Sequence, residues 1–315
     1  MQQVVKELES EYSTFINSIT NTVSDMMGEE YTARIFKVTK NNSLELDSLV
    51  LLKEGKNFAP NIYLLPYYEA YMEGTSLKEL ADRLCGIYHN CSAPLVKDNF
   101  NYAFDDMKAN VIYRLVNFEK NEKLLEKIPH IKYLDFAVTF HCLVHNDGDG
   151  IGTIRITNEH LEQWKVTLED LKELAHTNTR KKFPPLIRSM EDVIKTMLKE
   201  ECGEDFPLEL QTELMDNDSS EHHKMYILSN SKGINGATCL LYENVLKKFA
   251  NQIHSDLFIL PSSIHEIILV PYEKTISKEA LTEMVRDVNR TQVAKDEVLS
   301  DRVYYYSRTN NHIAM

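Results

Sequence analysis

Ser263, His265 and Glu266 stand together with the residue types of a hydrolase. A serine nucleophile needs a base within hydrogen-bond reach and an acid that orients that base. On a strand, Ser263 and His265 share a face and Glu266 points the other way. Same-face neighbours on one strand also stand too far apart for a ready Ser–His bond. No G-x-S-x-G elbow surrounds the serine. The reading adopted is a tight turn at Pro261-Ser262-Ser263 with a half-exposed edge, and catalysis at Ser263, His265 and Glu266 stays as the alternative.

Other groups are weaker. His145, Asp147 and Asp149 suggest calcium, but an EF-hand loop needs a Glu at its twelfth position. A loop starting at His145 puts Ile156 there, and one starting at Asp147 puts Asn158 there. Asn146-Asp147-Gly148-Asp149-Gly150 reads better as a hairpin turn. His222 and His223 are adjacent and do not easily ligate one metal. His141 and His145 are four apart, but on a strand and not on an H-E-x-x-H helix. Arg180-Lys181-Lys182 ends a helix, where cations offset the dipole. Ser231-Lys232-Gly233-Ile234-Asn235-Gly236 follows a strand and lacks the spacing of a phosphate-binding loop. No cofactor and no metal site is expected.

Cys85, Cys91, Cys142, Cys202 and Cys239 are odd in number and irregular in spacing, which fits a reduced, cytoplasmic setting. No signal peptide and no membrane-spanning run is read from the sequence. The 315 residues carry a net charge of −13, which disfavours a nucleic-acid partner and an anionic membrane surface. Nine of the excess acids fall between Glu200 and Glu221, which hold no Lys or Arg, so the rest of the chain is only at −4. That stretch is expected to be a mobile, protease-sensitive linker.

The elements that must position these groups follow from periodicity. Val4, Val5, Leu8, Tyr12, Phe15, Ile16, Ile19 and Val23 make one helical stripe, which Gly28 can end. Tyr31 to Lys40 and Leu44 to Leu52 read as a hairpin across Asn41-Asn42-Ser43. Asn61 to Leu65 is a third apolar run. Ser76 to Glu79 is a capping box for a helix with Leu77, Leu80, Ala81 and Leu84 inward. Val111 to Val116 is expected as a strand and Asn117 to Lys127 as a helix. Phe136, Val138, Phe140, Cys142 and Val144 share one face of a strand that returns at Thr153 to Ile156. Capped helices open at Thr157 and Thr167, and another opens near Ser189.

After the acidic stretch, Met225 to Leu228 is a strand and Ala237 to Tyr242 is expected as a second. Val245 to Ile253 is a helix, and Asp256 to Leu260 and Ile264 to Val270 are strands. Ser277 caps a helix bearing Leu281, Met284, Val285 and Val288, and Val303 to Tyr306 is the last strand. The chain is therefore expected to be α+β: a mixed helix and hairpin domain over 1–199, an acidic linker over 200–222, and a second domain over 223–315. The second domain has the order of a ferredoxin-like βαββαβ module with an antiparallel sheet and both helices on one face.

Several segments carry a family resemblance. They are Cys142-Leu143-Val144, His160-Leu161-Glu162-Gln163-Trp164, Met225-Tyr226-Ile227-Leu228-Ser229-Asn230 and Leu260-Pro261-Ser262-Ser263-Ile264-His265-Glu266. Val288-Asn289-Arg290-Thr291-Gln292-Val293 and Leu299-Ser300-Asp301-Arg302-Val303-Tyr304-Tyr305-Tyr306 belong with them. The chain resembles an uncharacterised domain-of-unknown-function family of Gram-positive gut bacteria, of clostridial type, over nearly its whole length. The resemblance implies a bacterial cytoplasmic protein from accessory or mobile gene content, and it transfers no catalytic residue.

The function expected is a non-enzymatic interaction or regulatory protein with a protein partner. A mimic of nucleic acid is a weaker variant, because the acidic excess lies in one segment. The alternative is a hydrolase with its site near Ser263, His265 and Glu266, joined by Asn230 or Arg290 from neighbouring elements.

Overall fold

The computed structural model describes residues 2–54, 60–90, 103–147, 150–202 and 224–315. The chain divides into two compact units, Met1–Asn101 and Tyr102–Met315. The expected boundary at 200–222 does not coincide with this division. Residues 203–223, which hold most of the expected linker together with His222 and His223, lie outside the described residues, as does Asp149.

The first unit begins with helix α1 (Gln2–Met27), followed by strands β1 (Tyr31–Thr39), β2 (Glu45–Lys53) and β3 (Ile62–Tyr63) and helices α2 (Leu65–Met72) and α3 (Leu77–Asn90). The strands form an antiparallel sheet in that order. At the expected hairpin turn, Asn42 and Ser43 take φ of 58° and 56°. Asn tolerates this left-handed conformation better than most residues. Phe15, Ile19 and Val23 of α1 bury against Leu49 and Leu51 of β2 and Leu80, Ala81 and Leu84 of α3. The Tyr88 hydroxyl completes this core, accepting from the Leu51 N–H and sharing its one proton between the Leu49 and Pro60 carbonyls, each at 2.9 Å.

The second unit continues with α4 (Phe104–Met107), β4 (Val111–Asn117), α5 (Glu122–Leu125), β5 (His130–Tyr133), β6 (Phe136–Asp147) and β7 (Gly150–Arg155). Next come α6 (Asn158–Trp164), α7 (Leu168–Lys182), β8 (Pro185–Ser189) and α8 (Met190–Cys202). The last elements are β9 (Tyr226–Asn230), α9 (Val245–Gln252), β10 (Leu257–Leu260), β11 (Ile267–Pro271), α10 (Lys278–Thr291), β12 (Tyr304–Ser307) and β13 (His312–Ala314). Among the described residues they form a four-stranded and a six-stranded antiparallel sheet. The architecture is α+β.

In the four-stranded sheet β6 pairs with β4 on one side and with β5 and β7 on the other. The free edge of β4 is closed by α7, whose Thr179 hydroxyl accepts from the Tyr113 N–H at 3.1 Å while the Asn178 amide donates to the Val111 carbonyl at 3.0 Å. This blunts an edge that would otherwise template strand addition. The expected helix over 117–127 is shorter than its charge pattern implies. A 3-10 turn at Glu119–Asn121 precedes α5, and the Asn117 side chain accepts from the Lys120 N–H at 2.8 Å.

The six-stranded sheet has the order β13-β12-β10-β11-β9-β8. It corrects three expectations. First, it is not a self-contained module of 223–315, because β8 precedes the acidic stretch and pairs with β9 after it, Ser189 opposite Tyr226. Second, Gly236–Leu241 is a buried 3-10 turn and not a strand. Third, the helices lie on opposite faces. Leu281 and Val285 of α10 pack on Phe258, Leu260 and Val270. Phe249 of α9 stacks edge-on against Tyr226, with ring centroids 4.8 Å apart. Tyr226 sits opposite Leu269 and Leu269 opposite Ile259, which places it on the other face from Phe258. Leu257, Phe258, Ile259 and Leu260 are all buried, as a strand covered on both faces must be.

The two sheets meet through the face opposite α10, where Tyr304 is fully buried against Phe136. Polar groups are satisfied across this seam. The Asp135 carboxylate accepts from the Tyr304 hydroxyl and, at 2.9 Å, from the Ser300 hydroxyl. The Asn117 amide donates to the Leu299 carbonyl at 2.9 Å.

Candidate functional site

The Ser263 turn leaves β10 and enters β11, and it is clamped from two sides. The carbonyls of Pro261 and Ser262 accept from the N–H groups of Ser300 at 2.9 Å and Leu299 at 2.8 Å. Ser263 bridges Val298 antiparallel, and the Ile264 N–H donates to the Glu297 carbonyl at 2.9 Å. From the other side, the Ala237 N–H donates to the Ile264 carbonyl at 3.2 Å.

Gly236 makes this second contact possible. A Cβ there would stand 2.5 Å from the His265 carbonyl oxygen and 2.8 Å from the Asn230 nitrogen. Both are backbone atoms, so nothing flexible can yield. The space is taken by the Ser229 hydroxyl, which donates to the same His265 carbonyl at 2.8 Å.

Ser263 is buried, and its Oγ accepts from the His265 backbone N–H at 3.0 Å. The ring of His265 is engaged elsewhere. Its Nδ1 accepts from the Asn235 N–H at 3.3 Å, and its Nε2 lies 3.2 Å from Glu297 Oε1. Because Nδ1 accepts, the proton sits on Nε2 and is donated to the Glu297 carboxylate. Burial pushes the Glu266 carboxyl up, His265 opposes that rise and Glu297 adds to it.

The sequence neighbours Ser263 and His265 therefore meet through the backbone and not through the ring, and Glu266 is not the acid that orients it. That acid is Glu297, and Asn235 is the second partner. Neither is readable from the sequence motif, because the turn meets them only in the folded chain. Asn235 takes φ of +53°, a left-handed conformation, in the loop that makes this contact.

The remaining candidates are dispersed. Asn230 is buried and holds its own loop, donating to the Ile234 carbonyl at 2.8 Å and accepting from the Lys232 N–H at 2.9 Å. Arg290 pairs with the exposed Asp287 at 2.6 Å. Arg180, Lys181 and Lys182 form the last turn of α7. His141 is buried on β6, while His145 and Asp147 are among the residues whose side chains are not described. A small cavity bordered by Arg114, Thr179, Asn230, Asn235 and Thr238 is lined by neither Ser263 nor His265. Among the described residues no cluster of His, Cys, Asp and Glu is suited to a metal, and no helix is long and apolar enough to cross a membrane.

As arranged, the turn can hold its own shape but lacks a nucleophile that faces a base. No curated protein and no solved structure matches the chain. The model of a family of unknown function, DUF5688, matches residues 12–308, and the chain belongs to that family.

Proposed function

We propose that this is a non-enzymatic interaction or regulatory protein of the bacterial cytoplasm, whose partner is a protein. One observation carries the reading. The Ser263 Oγ meets only the backbone N–H of His265, and both ring nitrogens of His265 are engaged by Asn235 and Glu297, so the ring does not face the serine hydroxyl. A hydrolase at this turn would need the ring turned toward Ser263, at the cost of both ring contacts. The cytoplasmic setting is supported by Cys85, Cys142 and Cys239, which are buried free thiols.

The test is an activity-based fluorophosphonate probe applied to native and heat-unfolded protein. No native labelling at Ser263 is expected. Labelling of Ser263 in the native protein that disappears on unfolding would establish the hydrolase instead.

A further inference from the structure

The face of the four-stranded sheet that points away from Phe136 carries charge that the sequence motifs did not suggest. Arg114 on β4 lies opposite Thr139, and Arg155 on β7 lies opposite His141. Both arginines thus flank β6 on one face, with strand axes about 10 Å apart, two strand spacings. The Arg114 side chain crosses β6 and its Nη2 donates to the Thr153 hydroxyl at 2.9 Å. Its Nε is closed off from solvent and has no hydrogen-bond partner. Among the described residues no carboxylate forms an ion pair with either arginine, and the charge that acts on Arg114 is Arg155.

Such an arrangement is unfavourable on its own. Burial, and then the like charge of Arg155, pull the Arg114 guanidinium down to about 10. Burial lowers Arg155 too. His141 between them is held well below its ordinary value by burial and by both arginines, so it adds no charge. Buried polar groups without partners call for an explanation, and pairing with a ligand is one.

We propose that Arg114 and Arg155, with the Thr153 hydroxyl, form a binding site for a phosphate group carried by a small molecule. Two planar guanidinium forks match a doubly charged oxyanion in charge and geometry. The Thr153 oxygen accepts from Arg114 and so keeps its own O–H to donate. A small rotation of the Arg114 fork toward the anion would give Nε an acceptor. Both arginines and Thr153 are part-exposed, so the face is reachable. A nucleic-acid backbone is disfavoured as the source by the net charge of −13. The inference does not depend on the reading of the Ser263 turn, and it holds for a binding protein and an enzyme alike.

The full chain is titrated with inorganic phosphate, and with sodium chloride at matched ionic strength, while melting and heat of binding are followed. Phosphate should raise Tm saturably and chloride should not. Arg155→Gln should melt at or above wild type without phosphate, because a like charge is gone, and should bind phosphate roughly tenfold more weakly or worse. An arginine with a merely structural role would move the phosphate-free melt downward instead. Equal shifts with phosphate and chloride, or phosphate binding by Arg155→Gln at wild-type affinity, overturn the proposal. If Arg155→Gln does not fold, Arg155→Lys replaces it, and unchanged affinity in that variant overturns the proposal equally. A single-stranded oligonucleotide that competes and binds more tightly than phosphate overturns the small-molecule assignment.

Discussion

At the Ser263 turn, the serine Oγ and both His265 ring nitrogens have partners within the protein. On the Arg114 face, a guanidinium Nε has none and two like charges act on each other. The candidate residues of the turn are neighbours in sequence. The arginines are 41 positions apart by their numbering and come together only through the pairing of β4, β6 and β7. Adjacency in the chain marked a region whose side-chain heteroatoms each have a partner, while cross-strand register assembled one in which a buried N–H has none. For a chain without a recognised motif, unsatisfied polar atoms are the better guide to where a ligand belongs.

Three experiments would break or sharpen this contrast. The largest effect is expected at Gly236→Ala. Its Cβ would press on the backbone of His265 and Asn230, and over-packing against backbone costs about 3 kcal/mol. Urea unfolding measures it. A wild-type midpoint would mean that the turn is not clamped as described.

The next effect is on the arginine face and concerns pH. His141 is neutral when folded, with its value depressed by burial, Arg114 and Arg155. The unfolded chain takes up a proton near pH 6.5 that the folded protein refuses. Stability from this group is therefore present above about pH 6.5 and falls as pH drops, approaching about 1.4 kcal/mol per pH unit. His141→Gln should remove that slope from urea midpoints measured between about pH 5 and 8. A variant whose midpoints fall in parallel with wild type would show that His141 is not the group responsible.

The smallest effect is expected at Glu297→Gln. The pair with His265 is part-exposed, so its loss costs at most about 1 kcal/mol. Melting of the variant checks this. A loss several times larger would mean that Glu297 holds more than the ring.

Much of the local structure was legible. Thr157, Thr167 and Ser277 cap α6, α7 and α10 with side-chain bonds as their types imply. Tyr304, Tyr305 and Tyr306 alternate between the two faces of the sheet. The misreadings have physical causes. Ala237 to Tyr242 is apolar because it is enclosed on all sides, and a short apolar run does not reveal its period. The opposite placement of α9 and α10 is written in the sequence, since a strand as apolar as Leu257 to Leu260 must be covered twice. Glu297 and Asn235 left no trace, because their roles depend on where the turn docks. Arg114 did leave one, as a lone charge inside the apolar run Val111 to Val116, where a half-buried cation calls for a counterpart.

The pairing of β8 with β9 has a consequence for the order in which the protein assembles. Ser189 and Tyr226 face each other across residues 190–225. At equilibrium a long connection weakens such a pair little, since each doubling of length costs only about 0.6 kcal/mol. In time it matters more, because contacts distant in sequence form slowly. During synthesis the four-stranded sheet is complete in sequence once Arg155 has emerged, while β8 must wait for β9 and β9 for β11 beside it. The hypothesis is that β8 is a latecomer, held unpaired while the rest of its sheet is made. Pulsed hydrogen exchange during refolding would expose it, with β8 amides protected after those of β10 and β11; simultaneous protection would show that the sheet closes in one step.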